Sequence, residues 1–261
     1  MTRTVSGSVM AAVLVSLAGC GGGGSDVQRV VYEKSGANAA GIQATVDAFR
    51  IQLGANNGVA AAAASGRREV NWDGVPAARL DPFPGDFFVT TSPRGIRFST
   101  PGSRMKVSGD PGTASFEFAD VTAPLPDGRP WGPIEFATFS PSKMFAPIDS
   151  VETNIHFFVP GTSMPATVTG FGAIFSDIDL ENSSAIELYG ADGSLLYKSF
   201  LPKAGAASKG FTFFGTTSSS ERVARVRILA GSHAINSPFS SPAPDGVAID
   251  DVIYSEPVAI Q

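Results

Sequence analysis

Apolar residues recur along this chain with several distinct periods, and each period predicts a different kind of element. Val9 to Ala18 is an almost unbroken apolar run. From Asn38 to Leu53, the residues Ile42, Val46, Phe49 and Leu53 recur at spacings of four, three and four, the period of an amphipathic helix. Gly54 ends that pattern, and Asn56, Asn57 and Gly58 extend the break. The Ala60 to Ala64 run with Ser65-Gly66 reads as a linker or irregular loop.

Beyond Arg67, strand-length segments alternate with Pro, Gly and Asp punctuation. The first half offers Asp86 to Thr90, Gly95 to Thr100, Ala114 to Ala119, Ile134 to Phe139 and Val151 to Val159. The second half offers Ala166 to Phe175, Ala185 to Tyr189, Ser194 to Phe200, Gly210 to Phe214, Glu221 to Leu229 and Val247 to Tyr254. Ile186 to Leu196 places two strand patterns around Asp192-Gly193, a hairpin turn whose backbone needs positive φ. In Glu221 to Leu229 the residues Ala224, Val226 and Ile228 form the core side, and Val223, Arg225, Arg227 and Leu229 the other. Many short strands without interleaved helices predict a mainly β fold, an antiparallel jelly-roll sandwich carrying one N-terminal amphipathic helix.

The apolar run at the start is far shorter than the roughly 20 residues that cross a bilayer. With Arg3 before it and small residues after it, it has the layout of an export signal. The tetrapeptide Leu17-Ala18-Gly19-Cys20 resembles the lipobox of bacterial lipoproteins, which implies cleavage before Cys20 and lipidation of its sulfur. Cys20 is the only cysteine, so no disulfide forms within a monomer. The competing reading is an ordinary signal with an incidental cysteine. The expected organisation is a signal peptide at 1–19, a lipidated Cys and flexible tether at 20–34, helix and Ala-rich linker at 35–65, and a β-sandwich at 66–256. By the same resemblance, Gly21, standing where inner-membrane lipoproteins often carry Asp, directs the protein to the outer membrane of a diderm host.

Removal of Arg3 with the signal leaves 24 acidic against 18 basic side chains, and no basic patch suggests nucleic acid. The segment from Ala166 to Tyr254 resembles the galactose-binding-like jelly-roll modules of secreted bacterial proteins, including those with PEP-CTERM sorting signals. The likeness rests on Val168 to Phe175, the Asp-Gly hairpin, Phe213-Phe214-Gly215, Ala224 to Ile228 and Ala248 to Tyr254, in that order. Gly66 to Gly74 and Ser92 to Gly102 are similar to the companion region of uncharacterised bacterial secreted proteins. The resemblance implies a binding module, with glycan or another envelope component as ligand.

Two sets of residues could carry chemistry. Asp177, Asp179 and Glu181 fall at alternate positions after a strand, about 6–7 Å apart on one face if the chain stays extended. Asp250 and Asp251 begin the last strand, and the resemblance implies that both sets could hold a structural Ca²⁺, which needs six to eight oxygen ligands. The favoured reading of both sets is nonetheless solvated turn residues or acceptors for backbone amides. For a sugar, Trp72 beside Asn71 and Asp73 is the first candidate platform and Trp131 the second, although Trp is more often buried than exposed and core packing is the favoured reading of Trp72. His156 lies in a strand pattern beside Phe157 and Phe158, and His233 in a polar loop, which supports neither a catalytic triad nor a His-rich zinc site. A carboxylate pair at alternate strand positions meets a glycosidase's spacing by accident alone. The expectation is therefore a non-catalytic lipid-anchored binding protein, then a structural envelope protein acting through protein contacts, then a carbohydrate-active hydrolase.

Overall fold

The computed structural model describes residues 13–15, 28–109, 136–204, 209–237 and 245–260. Cys20, Trp131 and the candidate strand Ala114 to Ala119 lie outside them. The strands are β1 (Val13–Val15), β2 (Arg29–Gly36), β3 (Arg67–Val70), β4 (Ile96–Ser99), β5 (Arg104–Val107), β6 (Phe145–Ile148), β7 (Glu152–Phe158) and β8 (Pro165–Thr167). They continue with β9 (Gly170–Ser176), β10 (Ala185–Tyr189), β11 (Leu195–Phe200), β12 (Phe211–Ser218), β13 (Arg225–Leu229), β14 (Ala248–Ser255) and β15 (Val258–Ala259). Helix α1 spans Ala39–Leu53 and the single turn α2 spans Phe87–Thr90.

The protein is mainly β, with two antiparallel sheets. Among the described residues, the first is eight-stranded in the order β1-β2-β12-β9-β14-β6-β5, with β3 also paired to β14. The second is seven-stranded in the order β11-β10-β13-β7-β8-β15, with β4 also paired to β7. Their facing side chains share one core: Phe171, Phe175, Phe214, Val252 and Tyr254 from the first sheet meet Ile155, Phe157, Ile186, Leu188 and Val226 from the second. The chain passes between sheets at Val168-Thr169, because β8 belongs to one sheet and β9 to the other. What the sequence presents as one apolar strand, Ala166 to Phe175, is thus two.

Helix α1 covers the outer face of the eight-stranded sheet. Asn38 caps it, its side chain accepting from the Gly41 N–H at 3.1 Å, and Gly54 closes it with φ +94°, a conformation that costs glycine little. Ile42, Val46 and Phe49 pack on Ile174, Phe211, Phe213 and Ile253, side chains that alternate with those facing the sandwich core. Gly172 and Gly215 stand directly opposite each other on β9 and β12. A Cβ on either would come within 3.0 Å of the Phe49 ring, so these two positions form the notch that receives it.

Several boundaries differ from the sequence pattern, each for a local reason. Residues Arg29–Gly36, read partly as tether, are a strand paired with β12 along all eight residues, and β1, which lies within the expected signal peptide, pairs with the same strand. Asp86 to Thr90 is not a strand: Phe87–Thr90 forms one helical turn that points Phe87 and Phe88 into the aromatic core around Trp72. The described part of Ile134 to Phe139 is irregular, its backbone bonded to side chains of the eight-stranded sheet.

Candidate functional site

The residues singled out in the sequence fall in three places. Trp72, at φ +65°, turns its side chain inward and is 1% exposed. One face stacks on Phe145 with centroids 4.6 Å apart, and Phe83, Phe88 and Phe98 surround the rest. No ring face is left for a sugar, so Trp72 is a core residue, the reading favoured from the sequence, and not a ligand platform. Asn71 beside it is exposed, and Asp73 caps the backbone of a neighbouring segment, its Oδ1 accepting from Ser142 N–H at 2.9 Å and Lys143 N–H at 3.1 Å.

Asp250 and Asp251 occupy a bulge in β14, where the register against β9 shifts between Ile249 and Val252. The extra residue lets consecutive side chains reach one neighbourhood instead of opposite faces. Both carboxyls are almost completely buried, at 0% and 1% exposure. Asp250 Oδ2 accepts from the Phe139 N–H at 2.5 Å, and the Ser140 hydroxyl lies 2.8 Å from Asp251 Oδ1 and 3.3 Å from Asp250 Oδ1. Arg50 of α1 reaches Asp251 Oδ2 at 3.2 Å and Glu69 Oε2 at 2.8 Å. Burial, and then the charge of Asp251, push Asp250 well above the ordinary carboxylate range. Burial also raises Asp251, against the Ser140 hydroxyl, Asp250 and Arg50. The pair is hydrogen-bonded internally and closed to solvent, which makes it a fastening between segment 137–140, β14 and α1.

The acidic run after β9 does not stay extended. Asp177 adopts φ +73°, which ends the strand at Ser176 and turns the side chain back so that Oδ1 accepts from the Lys209 N–H at 2.7 Å. Asp179 and Glu181 are exposed, with Glu181 3.9 Å from Lys203. Asp245, which the sequence pattern passed over, is buried here together with Asp177, and it accepts from the Asp179 and Leu180 N–H groups and from the Ser183 hydroxyl. The two acidic sets therefore do not converge on one cation. Among the described residues, no group of three or more His, Cys, Asp or Glu side chains is placed to hold a metal ion.

The concave site is elsewhere. A cleft of about 810 Å³ opens at the end of the sandwich where β2 and β9 begin and β12 and β14 end. Its volume falls within the roughly 300–1,000 Å³ of small-molecule sites, and its lining mixes apolar Val30, Leu53, Val258 and Ile260 with the hydroxyls of Thr167, Thr169, Thr217, Ser218, Ser219 and Ser255 and the amides of Gln28 and Gln52. Arg222 adds a guanidinium whose hydrogen bond goes to the main-chain oxygen of Glu221. One wall is held by a buried ion pair. Arg68 Nε and Nη2 each lie 2.8 Å from a Glu256 carboxylate oxygen, and the guanidinium also donates to the carbonyls of Gly58, Ala60 and Ala61. The Asn57 side-chain amide and the Ala63 N–H also donate to the Glu256 carboxylate, which fixes the loop leading to Ala64 and Ser65 of the cleft.

The sequence pattern missed this site because its hydroxyls come from four separate segments, none of which is a motif. The one legible signal is polar residues clustered at strand ends, Thr217-Ser218-Ser219 above all. Compared with protein-family profiles, with characterised proteins and with solved structures, the chain gives no significant match.

Proposed function

We propose that this chain is a lipid-anchored cell-envelope protein whose jelly-roll body displays a non-catalytic binding cleft for a glycan or another polyhydroxylated envelope component. The observation that carries the ligand class is the cleft lining: threonine and serine hydroxyls, glutamine amides and one arginine suit a ligand that both donates and accepts hydrogen bonds. The lipobox-like Leu17 to Cys20 supports the anchor. Gln28 lines the cleft and lies eight residues after Cys20, a length that spans at most about 26–29 Å. A body tethered through Cys20 thus holds this end close to the bilayer, where envelope saccharides are concentrated.

The test has two arms. Cells given labelled palmitate should incorporate label into the wild-type protein and not into Cys20→Ser, and unlabelled wild type would overturn the anchor. On a glycan array, the full-length protein in detergent should retain saccharides that Thr217→Val combined with Arg222→Ala does not. Equal retention by that variant would remove the cleft as the site.

A further inference from the structure

We propose that the outer face of the seven-stranded sheet carries a second binding site, for a carboxylate-bearing polysaccharide, built on Arg97, His156 and Arg225. Strands β10, β13, β7 and β4 run side by side, and their registers place Tyr189 opposite Arg225, Arg225 opposite His156, and His156 opposite Arg97. Directly paired residues project to the same face, so these four form one row across the sheet. Neighbouring strands lie about 4.8 Å apart, which separates the two arginine backbones by about 10 Å with the imidazole between them.

Each guanidinium rests on an aromatic ring. The Arg225 Cζ lies 3.7 Å from the centroid of Tyr189, and the Arg97 Cζ 4.9 Å from that of Phe158. Such stacking orients a guanidinium while leaving its N–H edge available. The rings lie in different directions from His156, one across the strands and one along β7, so they keep the two cations apart instead of converging them on a single small ion.

The charge balance of this face is uneven. Its carboxylates are already engaged: Glu152 by Arg227 at 2.6 Å, and Glu187 by Arg227 and Lys198 at 3.0 Å each. Burial opposes ionisation of Glu187, but hydrogen bonds from Tyr189, Lys198 and Arg227 hold it down at about 2. Neither Arg97 nor Arg225 has a carboxylate within 4 Å among the described residues, and Arg97, which is exposed, donates no side-chain hydrogen bond there. Arg225 donates to Asn154 Oδ1 at 3.0 Å. His156 adds no charge near neutrality, since burial and then the two guanidiniums lower its pKa. Arg227 and Lys198 balance Glu152 and Glu187, and two cations remain uncompensated on a chain whose formal charge is −5.

An open, flat face with two separated cations, each beside an aromatic ring, matches a polymer that repeats a carboxylate along a sugar backbone. The carboxylates meet the guanidinium edges and the sugar C–H groups lie against the rings. None of the row residues lines the cleft, so this site holds or fails independently of the cleft reading.

The experiment is affinity electrophoresis of the full-length protein in detergent, with polygalacturonate in one gel and neutral dextran in another. Retardation is expected only with polygalacturonate, weakening with added salt. Arg97→Gln should weaken it severalfold, and Arg97→Gln combined with Arg225→Gln at least tenfold. Arg79→Gln, at an exposed arginine outside both the row and the cleft and with the same change of charge as Arg97→Gln, should leave it intact. Because the Arg97 side chain donates no hydrogen bond among the described residues, its single variant remains informative even if the double variant unfolds. Absence of retardation, equal retardation in dextran, or equal loss in Arg79→Gln would overturn the proposal.

Discussion

The indole Nε1 of Trp72 donates to the main-chain carbonyl of Asp250 at 2.7 Å, so the largest ring of the core is tied to the strand bulge that carries the buried acid pair. Trp72→Phe keeps an aromatic ring among Phe83, Phe88, Phe98 and Phe145 but deletes this donor. A buried acceptor left unsatisfied costs about 1–3 kcal/mol, and the smaller ring adds a cavity. Urea unfolding should show a lower midpoint at unchanged slope, while retention of saccharide by the folded protein stays as in wild type. Lost retention with an unchanged midpoint would restore the indole as a ligand platform.

The acid pair predicts a distinctive pH dependence. Folding raises both carboxyls above their unfolded values near 4, so the folded state keeps a proton where the unfolded chain has released it. Their contribution to stability is therefore fully present below the unfolded value and is lost as pH rises through the folded one. Asp250→Asn supplies a neutral group that still accepts from the Phe139 N–H. The difference in Tm between variant and wild type should be small near pH 4 and favour the variant by a few degrees at pH 7.5, since about 1 kcal/mol shifts Tm by roughly 2–4 °C at this size. A difference that does not vary with pH would place the shared proton elsewhere.

The hairpin at Asp192-Gly193 and the alternation of Arg225 to Leu229 were legible in the sequence because each depends on local chemistry: Gly193 takes φ +81°, and Val226 and Ile228 are buried while Arg225 and Arg227 are not. Period was misleading where a strand is covered on both sides. β9 and β14 are buried at every position, under α1 on one side and the second sheet on the other, so Ala166 to Phe175 gave no alternation to mark its break at Val168-Thr169. Asp177, Asp179 and Glu181 misled for the opposite reason, since their common face assumed an extended chain and Asp177 turns at φ +73°. The cleft and the Arg97–His156–Arg225 row depend on register between distant strands, which no single segment records.

Arg68 and Glu256 are buried at 0% and 4% exposure, and every charged atom of the pair is met by a partner at hydrogen-bond distance. Breaking such a pair from one side costs about 3–5 kcal/mol, because it strands the other charge. Glu256→Ala should therefore melt far below wild type, whereas Arg68→Met with Glu256→Leu should recover much of the loss. The double variant should still bind saccharide more weakly, because the carbonyls of Gly58, Ala60 and Ala61 lose the guanidinium that fixes the cleft wall. Calorimetry and the glycan array read the two effects separately, and a double variant no more stable than Glu256→Ala would show that the pair acts through its contacts to the loop alone.

Gly215→Ala tests how α1 is held. In an unstrained open site this change would stabilise by about 0.4–1 kcal/mol through the unfolded chain. Here the new Cβ would lie 2.9 Å from Phe213 Cζ and 3.0 Å from two Phe49 ring carbons, and both rings are completely buried. Overpacking of this kind costs about 1–3 kcal/mol, so the net sign is a loss. The strain falls on the helix contact, because the Phe49 ring sits directly over Gly215 and the facing Gly172. Amide hydrogen exchange should accordingly speed up across residues 39–53 while Phe171 to Phe175 and Val226 to Ile228 keep their protection. If protection fell equally in both regions, the helix and the sandwich would unfold as one unit instead of the helix docking as a separable layer.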